Sequence, residues 1–208
     1  WLYARNNMTR TTEIILKEAE DTLYTAQLGL DLVNGKDPKP RIAGLRNLVV
    51  FGRAVTNVLQ NLRSTVGKPF DEWYQPKVEE MSNDQVLKYF YKLRSQILKQ
   101  GSVNTSVSMS LSGNPMALMH KYQAPPGAKG FFMGDNLGGC GWEVEVDDDV
   151  IEKYYVDVPD NIEGLKMNIN IHLLDAPEKL KEHNIQELSE HYLAYLGKLV
   201  TEAKSIFK

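Results

Sequence analysis

The chain lacks several features that assign a protein to a class at once. It contains one cysteine among 208 residues, which excludes an intramolecular disulfide framework. No apolar run reaches the roughly 20 residues of a transmembrane helix, and no secretory signal pattern opens the sequence. Lys and Arg number 24 against 27 Asp and Glu, which argues against a protein that is basic over its whole surface. We therefore expect a cytoplasmic protein with no membrane partner.

Motifs for common cofactors and metal ions are also missing. The glycines around Cys140 lack the lysine of a nucleotide-binding P-loop. The three aspartates at 147–149 lack the alternate spacing of calcium ligands and are more typical of a hairpin turn. His183 and His191 do not have the four-residue spacing of a helical zinc pair. We therefore expect no cofactor and no metal.

Cys140 itself is interpreted as a thiol in a loop. An enzyme that uses it as a nucleophile is a weaker alternative. A reactive thiol needs a base or a positive helix end, and the sequence places neither beside it.

The first half of the chain carries apolar residues at helical spacing. This spacing predicts helices over 11–33, 41–66 and 84–100, and a short helix over 70–81 that Pro76 interrupts. Ser82 to Asp84 offers N-cap chemistry for the last of these, and Gly101 ends it. Four helices joined by short connections favour an antiparallel bundle.

After Gly101 the pattern changes to alternation with a period of two. Residues 102–114 alternate small polar and apolar residues, which indicates a half-buried strand or a hydroxyl-rich linker. A β-hairpin is predicted over 142–158, a further strand over 165–173 and a long amphipathic helix over 184–207. The predicted fold is mainly α, a bundle of about five helices with a β-hairpin or small β-sheet inserted before the last helix.

This pattern divides the chain into three parts. The helical bundle covers residues 1–101, and a β-rich insertion covers residues 102–183. The third part, residues 184–208, is a C-terminal helix that packs on the bundle.

The fourth predicted helix ends with a local motif. It contains Leu93-Arg94-Ser95, followed by Lys99 and Gly101. Here the sequence resembles the HEPN family, all-helical nucleic-acid-associated domains whose signature is an Arg, often after Leu, with a His four to six residues further on. The resemblance covers residues 10–101 plus the last helix. Its Arg-x4-His motif is degenerate, because Lys99 stands in place of the His.

The resemblance implies metal-independent RNA cleavage, in which the His exchanges protons while the Arg holds the phosphate, usually across a dimer interface. An unperturbed lysine, with a pKa of about 10.4, stays protonated and is a poor base. We therefore expect a HEPN-like domain, dimeric, that binds RNA or a nucleotide-type phosphate through Arg94 and Lys99 without ribonuclease activity. No catalytic residue is assigned. The alternative is a solvated helix end, where cations meet exposed carbonyls.

A basic strip on the second predicted helix adds to this expectation. Arg46, Arg53 and Asn57 are separated by seven and four residues, which places them on one side of the helix. Residues 36–68 hold seven Lys or Arg and a single acid, Asp37. We expect Arg46 and Arg53 to bind phosphate as part of an anion-facing surface near Arg94. The alternative is that these arginines pair with acids of neighbouring helices.

Two further alternatives stay open. Aromatic residues in the third and fourth helices could stack nucleic-acid bases, although such spacing is more typical of a core. They are Trp73, Tyr74, Tyr89, Phe90 and Tyr91. The competing function, from another class, is a non-enzymatic structural or protein-interaction module that forms a homo-oligomer through the bundle and binds a protein partner through the insertion.

Overall fold

The computed structural model describes residues 10–114, 116, 121–158, 161–162 and 165–208. The protein is mainly α-helical and has two small antiparallel sheets. The helices are α1 Thr12–Asn34, α2 Arg41–Leu59, α3 Arg63–Val66, α4 Lys68–Asn83, α5 Gln85–Gln100, α6 Glu178–Lys181 and α7 Ile185–Phe207. The strands are β1 Thr105–Gly113, β2 Ala128–Met133, β3 Cys140–Asp147, β4 Val150–Val156, β5 Asn161–Ile162 and β6 Leu165–Leu173. Residues 1–9 of the predicted bundle and short stretches of the predicted insertion lie outside the described residues.

Helix α5 begins and ends at the capping residues that the sequence offers. The Asp84 side chain accepts hydrogen bonds from the amides of Val86 and Leu87 at the start of α5. Gly101 ends α5 with a φ of 66°, a conformation that favours glycine. The predicted interruption at Pro76 is wrong, because α4 continues through it. Pro76 lies on the exposed side of α4, where water can satisfy the carbonyl that loses its partner.

Two apolar cores lie among the helices. The first joins α1, α2, α5 and α7 with the inner side of β6, and Leu45, Leu48 and Phe90 are fully buried in it. The second joins α1, α2, α4 and α7 around Val55 and Phe70. Because α1, α2 and α7 contribute to both cores, they hold α4 and α5 in position.

The helix α2 and its continuation through α3, Arg41–Val66, are long and apolar enough by composition to cross a membrane, with a mean hydropathy of 1.2. Of that apolar window, 44% is buried inside the protein, and the core helix of a soluble protein passes the same test. Since α2 lies between both apolar cores, we interpret it as a core helix.

The helices α1 and α2 touch through glycines. A Cβ on Gly29 would lie 2.6 Å from the carbonyl oxygen of Gly44, and a Cβ on Gly44 would lie 2.7 Å from the carbonyl oxygen of Gly29. Hydrogen bonds from Thr12 to Thr65 and from Asn47 to the Thr25 carbonyl show that the two helices run antiparallel. Backbone contact therefore sets the distance between them.

The strands form two sheets of three strands. The predicted hairpin is β3 and β4, joined by a turn in which Asp149 has a φ of 63°. The predicted strand over 165–173 is β6, which pairs with β1 and β5 in the other sheet. A small apolar cluster that includes Cys140 and Leu165 packs the two sheets together.

The interpretation of Cys140 as a loop thiol is wrong. It is the first residue of β3 and is 3% exposed. Burial raises the pKa of its thiol, which keeps the sulfur protonated at neutral pH. The physical reason is that the glycine-rich loop ends one residue earlier, so Cys140 enters the apolar cluster between the sheets.

The glycine-rich loop between β2 and β3 is fixed to the helices by Arg41. The Arg41 guanidinium donates hydrogen bonds to the carbonyl oxygens of Leu137 at 3.1 Å and Gly138 at 3.0 Å. It also donates twice to the Gly35 carbonyl, at 3.3 and 3.0 Å. The start of α2 therefore sets the position of the sheet that contains β3.

Candidate functional site

Four helices, α2, α4, α5 and α7, enclose a cleft of about 470 Å³. This volume lies within the range of about 300–1,000 Å³ that is common for small-molecule pockets. The wall formed by α2 is polar, because Arg53, Thr56 and Gln60 follow one another at helical spacing. The facing wall is apolar and consists of Val78, Met81, Leu87 and Leu196. The other lining residues are Tyr74, Ser82, Lys88, Tyr91 and Tyr192.

The close packing of α7 on α2 brings Tyr192 into this cleft. A Cβ at Gly52 would overlap the Tyr192 ring, so the absence of a side chain at this position lets the ring lie directly on α2. On its other side the ring packs on Phe90, with 4.6 Å between the ring centroids. Tyr192 is consequently 4% exposed.

The hydroxyl of Tyr192 makes no hydrogen bond to any residue that the structure describes. Burial raises the pKa of Tyr192, and the positive charges of Arg53 and Arg94 lower it only in part. The hydroxyl therefore stays protonated at neutral pH and can donate to a ligand. Because Tyr192 lines the cleft, its hydroxyl is a candidate hydrogen-bond donor to a bound ligand.

The guanidinium of Arg53 lies beside Tyr192 on the polar wall. Its carbon is 5.2 Å from the centroid of the Tyr91 ring, and one of its nitrogens donates to the Thr56 hydroxyl. Within the described chain it pairs with no carboxylate. Arg53 also hydrogen-bonds with Tyr74, and those of its five N–H donors that neither Thr56 nor Tyr74 uses remain available to an anion in the cleft.

Tyr74 adds a second hydroxyl to the polar wall. Burial raises its pKa, opposed by the charge of Arg53 and by hydrogen bonds with Thr56, Gln60 and Arg53. The Tyr74 hydroxyl therefore also remains protonated at neutral pH.

The cleft carries positive charge without a compensating acid. Arg53 and Lys88 are its charged lining residues, and no Asp or Glu is among the described residues that line it. The Asp84 carboxylate, at the start of α5, binds His191 at 2.7 Å. An anion entering the cleft would therefore meet two cations and no repelling carboxylate in its wall.

The predicted residue Arg94 lies on α5 and is not among the residues that line the cleft. It is partly buried, and its Nε is buried without a hydrogen-bond partner among the described residues. Its positive charge lowers the pKa of Tyr192, as that of Arg53 does, so Arg94 acts on the cleft electrostatically.

Lys99 and Arg46 are placed elsewhere. Lys99 is exposed in the last turn of α5, and a separation of five residues rotates a helix by about 140°, so it lies on a different side from Arg94. Arg46 is exposed on α2 and does not line the cleft. The phosphate-binding roles of all four cations remain predictions.

The acids of α4 form ion pairs with cations other than Arg46 and Arg53. Asp71 pairs with Arg63 at 2.6 Å, and Glu72 pairs with Lys68 at 3.4 Å. Neither Arg46 nor Arg53 has a carboxylate partner in the part of the chain that is described. The alternative in which these two arginines are neutralised by neighbouring acids therefore gains no support.

Sequence reasoning missed Tyr192 and the hydroxyls beside Arg53. Thr56 and Gln60 could have been found, because they continue the polar stripe of α2 at helical spacing. Tyr192 could not, since its neighbour Gly52 is 140 residues away in the chain. In the aromatic set, Tyr74, Tyr89 and Phe90 are buried, as a core requires, whereas Tyr91 is 55% exposed.

The histidines and acids form no metal site among the residues that the structure describes. No group of three or more His, Cys, Asp or Glu there is placed to hold a metal ion. His172 instead contacts Ser108 at 2.8 Å, and His183 lies 3.4 Å from Glu187.

No family model, curated protein or solved structure matches this chain. The geometry of the cleft and the motif at the end of α5 are therefore the features that bear on function.

Proposed function

We propose that the protein binds RNA or a nucleotide-type phosphate in the cleft between α2, α4, α5 and α7, without ribonuclease activity. One observation carries the proposal. Tyr192 and Arg53 line the same cleft, the Tyr192 hydroxyl has no hydrogen-bond partner in the described chain, and the positive charges of Arg53 and Arg94 both act on it. A phosphate group in the cleft can accept hydrogen bonds from Tyr192 and Arg53, and the charge of Arg94 adds to its attraction.

The chemistry of these groups suits phosphate better than a neutral ligand. Guanidinium groups donate two parallel hydrogen bonds to phosphate oxygens, and charge-assisted bonds of this kind are about twice as strong as neutral ones. Arg53 already lies over the Tyr91 ring, which restricts the orientation of its planar group. A ligand would therefore meet a donor that is partly ordered in advance.

The cleft supports binding more than cleavage. General base catalysis at neutral pH needs a group that can accept a proton, usually histidine. No histidine is among the lining residues given above, and Tyr74 and Tyr192 both have raised pKa values. The protonated hydroxyls can stabilise a bound phosphate, but they do not take up a proton.

The proposal includes the HEPN-like character of the chain. It takes the long helices α1, α2, α4, α5 and α7 as the family's bundle, with the β-rich segment of residues 102–183 inserted before the last helix. The dimer, the cytoplasmic location and the contribution of Lys99 belong to the same proposal. They rest on the motif around Arg94.

Binding of a short, fluorescently labelled RNA, measured by anisotropy at increasing salt, tests the proposal. We expect Arg53→Ala and Arg94→Ala each to weaken binding by about tenfold or more, because each removes a charge-assisted hydrogen bond. Arg53→Lys is expected to recover part of the loss, since it keeps the charge but not the planar group. Lys17→Ala, an exposed cation on α1, is the control and should bind as the parent does.

Equal affinity of the arginine variants and the parent would contradict the proposal. Absence of RNA and nucleotide binding at low salt would favour the structural module instead. One observation fits that second function: Tyr24, Leu28 and Leu32 form an exposed apolar stripe on α1 at intervals of four residues, with exposures of 65%, 42% and 41%.

A further inference from the structure

We infer that copies of this chain associate head to tail, with the end of the β3–β4 hairpin of one copy docked in a groove beside α5 of the next. The end of the hairpin, residues 146–152, is called the hairpin tip below. The groove lies between α5 and residues 175–179 and is called the α5 groove. It shares one lining residue, Lys88, with the cleft between α2, α4, α5 and α7. The contact joins two unlike surfaces and so differs from a dimer of helix against helix.

Helix α5 carries positive charge without acids of its own. It contains four cations and no Asp or Glu. Lys88, Lys92 and Lys99 are separated by four and seven residues, which places them on one side of the helix. All three are exposed, and none forms an ion pair with a residue that the structure describes. This side of α5 therefore attracts an acidic surface.

The α5 groove combines these lysines with apolar surface. Lys88 and Lys92 line it from α5, Lys179 lines it from the opposite side, and its volume is about 570 Å³. The apolar residues in its lining are Tyr89, Leu93 and Pro177. An apolar floor with a charged rim is the usual composition of a protein-binding surface.

The two acids that line the α5 groove already have partners. The Asp175 carboxylate accepts hydrogen bonds from Gln96 at 3.3 Å and Asn104 at 2.7 Å. Glu178 pairs with Lys181 at 2.5 Å. The three lining lysines thus keep their charge for a partner. Because the two carboxylates would repel a continuous phosphate backbone, the groove suits a short acidic segment with apolar side chains better than it suits RNA.

The hairpin tip is such a segment, and it projects from its sheet. Strand β2 pairs with β3 only as far as Val144, so the hairpin continues beyond that point as two strands. Every residue from 146 to 152 is exposed. The tip has no cation, and it carries four acids that form no ion pair in the described chain, Asp147, Asp148, Asp149 and Glu152. Its apolar residues are Val146, Val150 and Ile151, with exposures of 46%, 48% and 55%.

The hairpin tip and the α5 groove therefore match in charge and in apolar surface, and every copy of the chain has both. A contact between two different surfaces is heterologous, so it builds open chains or closed rings. The net charge of -3 is small, which keeps repulsion between copies low. A tip of seven residues buries less than the roughly 1,200 Å² of a stable complex, so we expect a Kd of about 10–100 µM.

Sedimentation velocity of the full chain at increasing protein concentration tests the contact. We expect the weight-average sedimentation coefficient to rise with concentration at low salt. The Kd should increase by about tenfold between low and high salt, because ions screen the pairs between acids and lysines.

Neutral substitutions on each surface identify the two sides of the contact. Asp148→Asn with Glu152→Gln changes the hairpin tip, and Lys92→Gln with Lys179→Gln changes the α5 groove. Each double variant should weaken association by about fivefold to tenfold, since each removes two charges from the contact. The control, Lys17→Gln with Lys198→Gln, removes two exposed cations outside the groove and should associate as the parent does. Thermal unfolding of all three variants monitors folding.

Mixing the two defective variants tests whether the surfaces are unlike. The hairpin-tip variant keeps an intact groove, and the groove variant keeps an intact tip. We expect the mixture to recover the affinity of the parent but to stop at complexes of one copy of each, because the remaining surfaces are impaired. A mixture that associates no better than its components would contradict a head-to-tail contact.

A second pair of variants examines the apolar part of the contact. Ile151→Ser removes the most exposed apolar side chain of the tip, whereas Leu28→Ser changes the exposed stripe on α1. We expect Ile151→Ser to weaken association by about fivefold or more and Leu28→Ser to leave it unchanged. The reverse result would place the interface on α1 and overturn the head-to-tail contact.

Two further results would also overturn it. One is a parent chain that stays monomeric at low salt at concentrations well above the expected Kd. The other is association that none of the hairpin-tip and groove variants alters. If the parent stays monomeric and Lys92→Gln with Lys179→Gln weakens the binding of labelled RNA, the lysines of α5 serve RNA and not a second copy. Because Lys92 and Lys179 do not line the cleft, loss of self-association leaves the function proposed for the cleft untouched.

Discussion

Two arginines of α2 differ in how their guanidinium groups are used. Arg41, at the start of the helix, donates to the carbonyl oxygens of Gly35, Leu137 and Gly138. Arg53, three turns later, donates to the Thr56 hydroxyl and lines a cleft that is open to solvent on one side. The hydrogen-bond donors of Arg41 are used within the protein, whereas some of those of Arg53 remain available to a ligand. The same residue type therefore serves structure or binding according to the acceptors that the fold supplies.

The distinction matters because both arginines belong to the same basic strip in the sequence. Residue type and spacing do not separate them. What separates them is tertiary contact: a loop from residues 134–139 reaches Arg41, and no loop in the described chain reaches Arg53. The three predictions below examine this difference, from the largest expected effect to the smallest.

The largest effect is expected from Arg41→Ala. The substitution removes four hydrogen bonds from a charged donor and leaves three carbonyl groups without their partner. We expect the free energy of unfolding to fall by about 2–4 kcal/mol, measured by urea denaturation. RNA binding by the folded fraction should be unchanged.

Arg63→Ala is the matched control for that experiment. Arg63 pairs with Asp71 on the surface, and the two side chains are 54% and 51% exposed. Exposed ion pairs contribute about 0–1 kcal/mol, so the free energy of unfolding should fall much less in Arg63→Ala than in Arg41→Ala. If Arg41→Ala and Arg63→Ala lost equal amounts of unfolding free energy, Arg41 would not have the structural role proposed for it.

An intermediate effect is expected from Asp84→Ala, which removes the cap of α5 next to the cleft. Burial opposes ionisation of Asp84, but hydrogen bonds from the Leu87 and Val86 amides and the contact with His191 outweigh it, and the pKa of Asp84 is lowered. Loss of the cap should cost about 1 kcal/mol at pH 7.

The same variant predicts a pH dependence. A carboxyl with a lowered pKa stabilises the folded state above its unfolded pKa of about 3.9, and this contribution is lost as the pH falls through the lower folded value. The difference in unfolding free energy between parent and Asp84→Ala should therefore shrink below about pH 4. Asp84→Asn, which keeps the cap acceptor, should lose less at pH 7. If the difference in unfolding free energy between parent and Asp84→Ala grew as the pH falls, the lowered pKa of Asp84 would be contradicted.

The smallest effect on stability is expected from Tyr192→Phe. The hydroxyl has no partner in the described chain, so its removal should change the free energy of unfolding by less than about 0.5 kcal/mol. RNA affinity should nevertheless fall by about threefold to tenfold, since one hydrogen bond to the ligand is lost. A destabilisation above about 1.5 kcal/mol would indicate that the hydroxyl serves the fold and not a ligand.

Much of the helical structure could be predicted from local pattern. The spacing of apolar residues and the caps at Asp84 and Gly101 locate α5 to within a residue. Pro76 misled the prediction because its effect depends on exposure, which the sequence does not state. The partner of β6 also could not be predicted, since its pairing with β1 joins segments about 60 residues apart.

The candidate site was predicted only in part. Charge and motif point to Arg53 and Arg94; Arg53 lines the cleft, whereas Arg94 lies outside its lining and acts on Tyr192 through its charge. Helical geometry already separates Lys99 from Arg94, because five residues do not complete a whole number of turns. The cleft itself depends on the packing of α7 on α2, and no local signal records that contact.

The contact between Gly29 and Gly44 has a consequence for how the helical hairpin tolerates change. Where side chains separate two helices, enlarging or trimming them alters the spacing, but here main-chain atoms meet directly. The separation of α1 and α2 is consequently insensitive to the volume of the leucines and valines around the crossing. Substitutions in the apolar core can therefore change its packing density without moving the axes of α1 and α2.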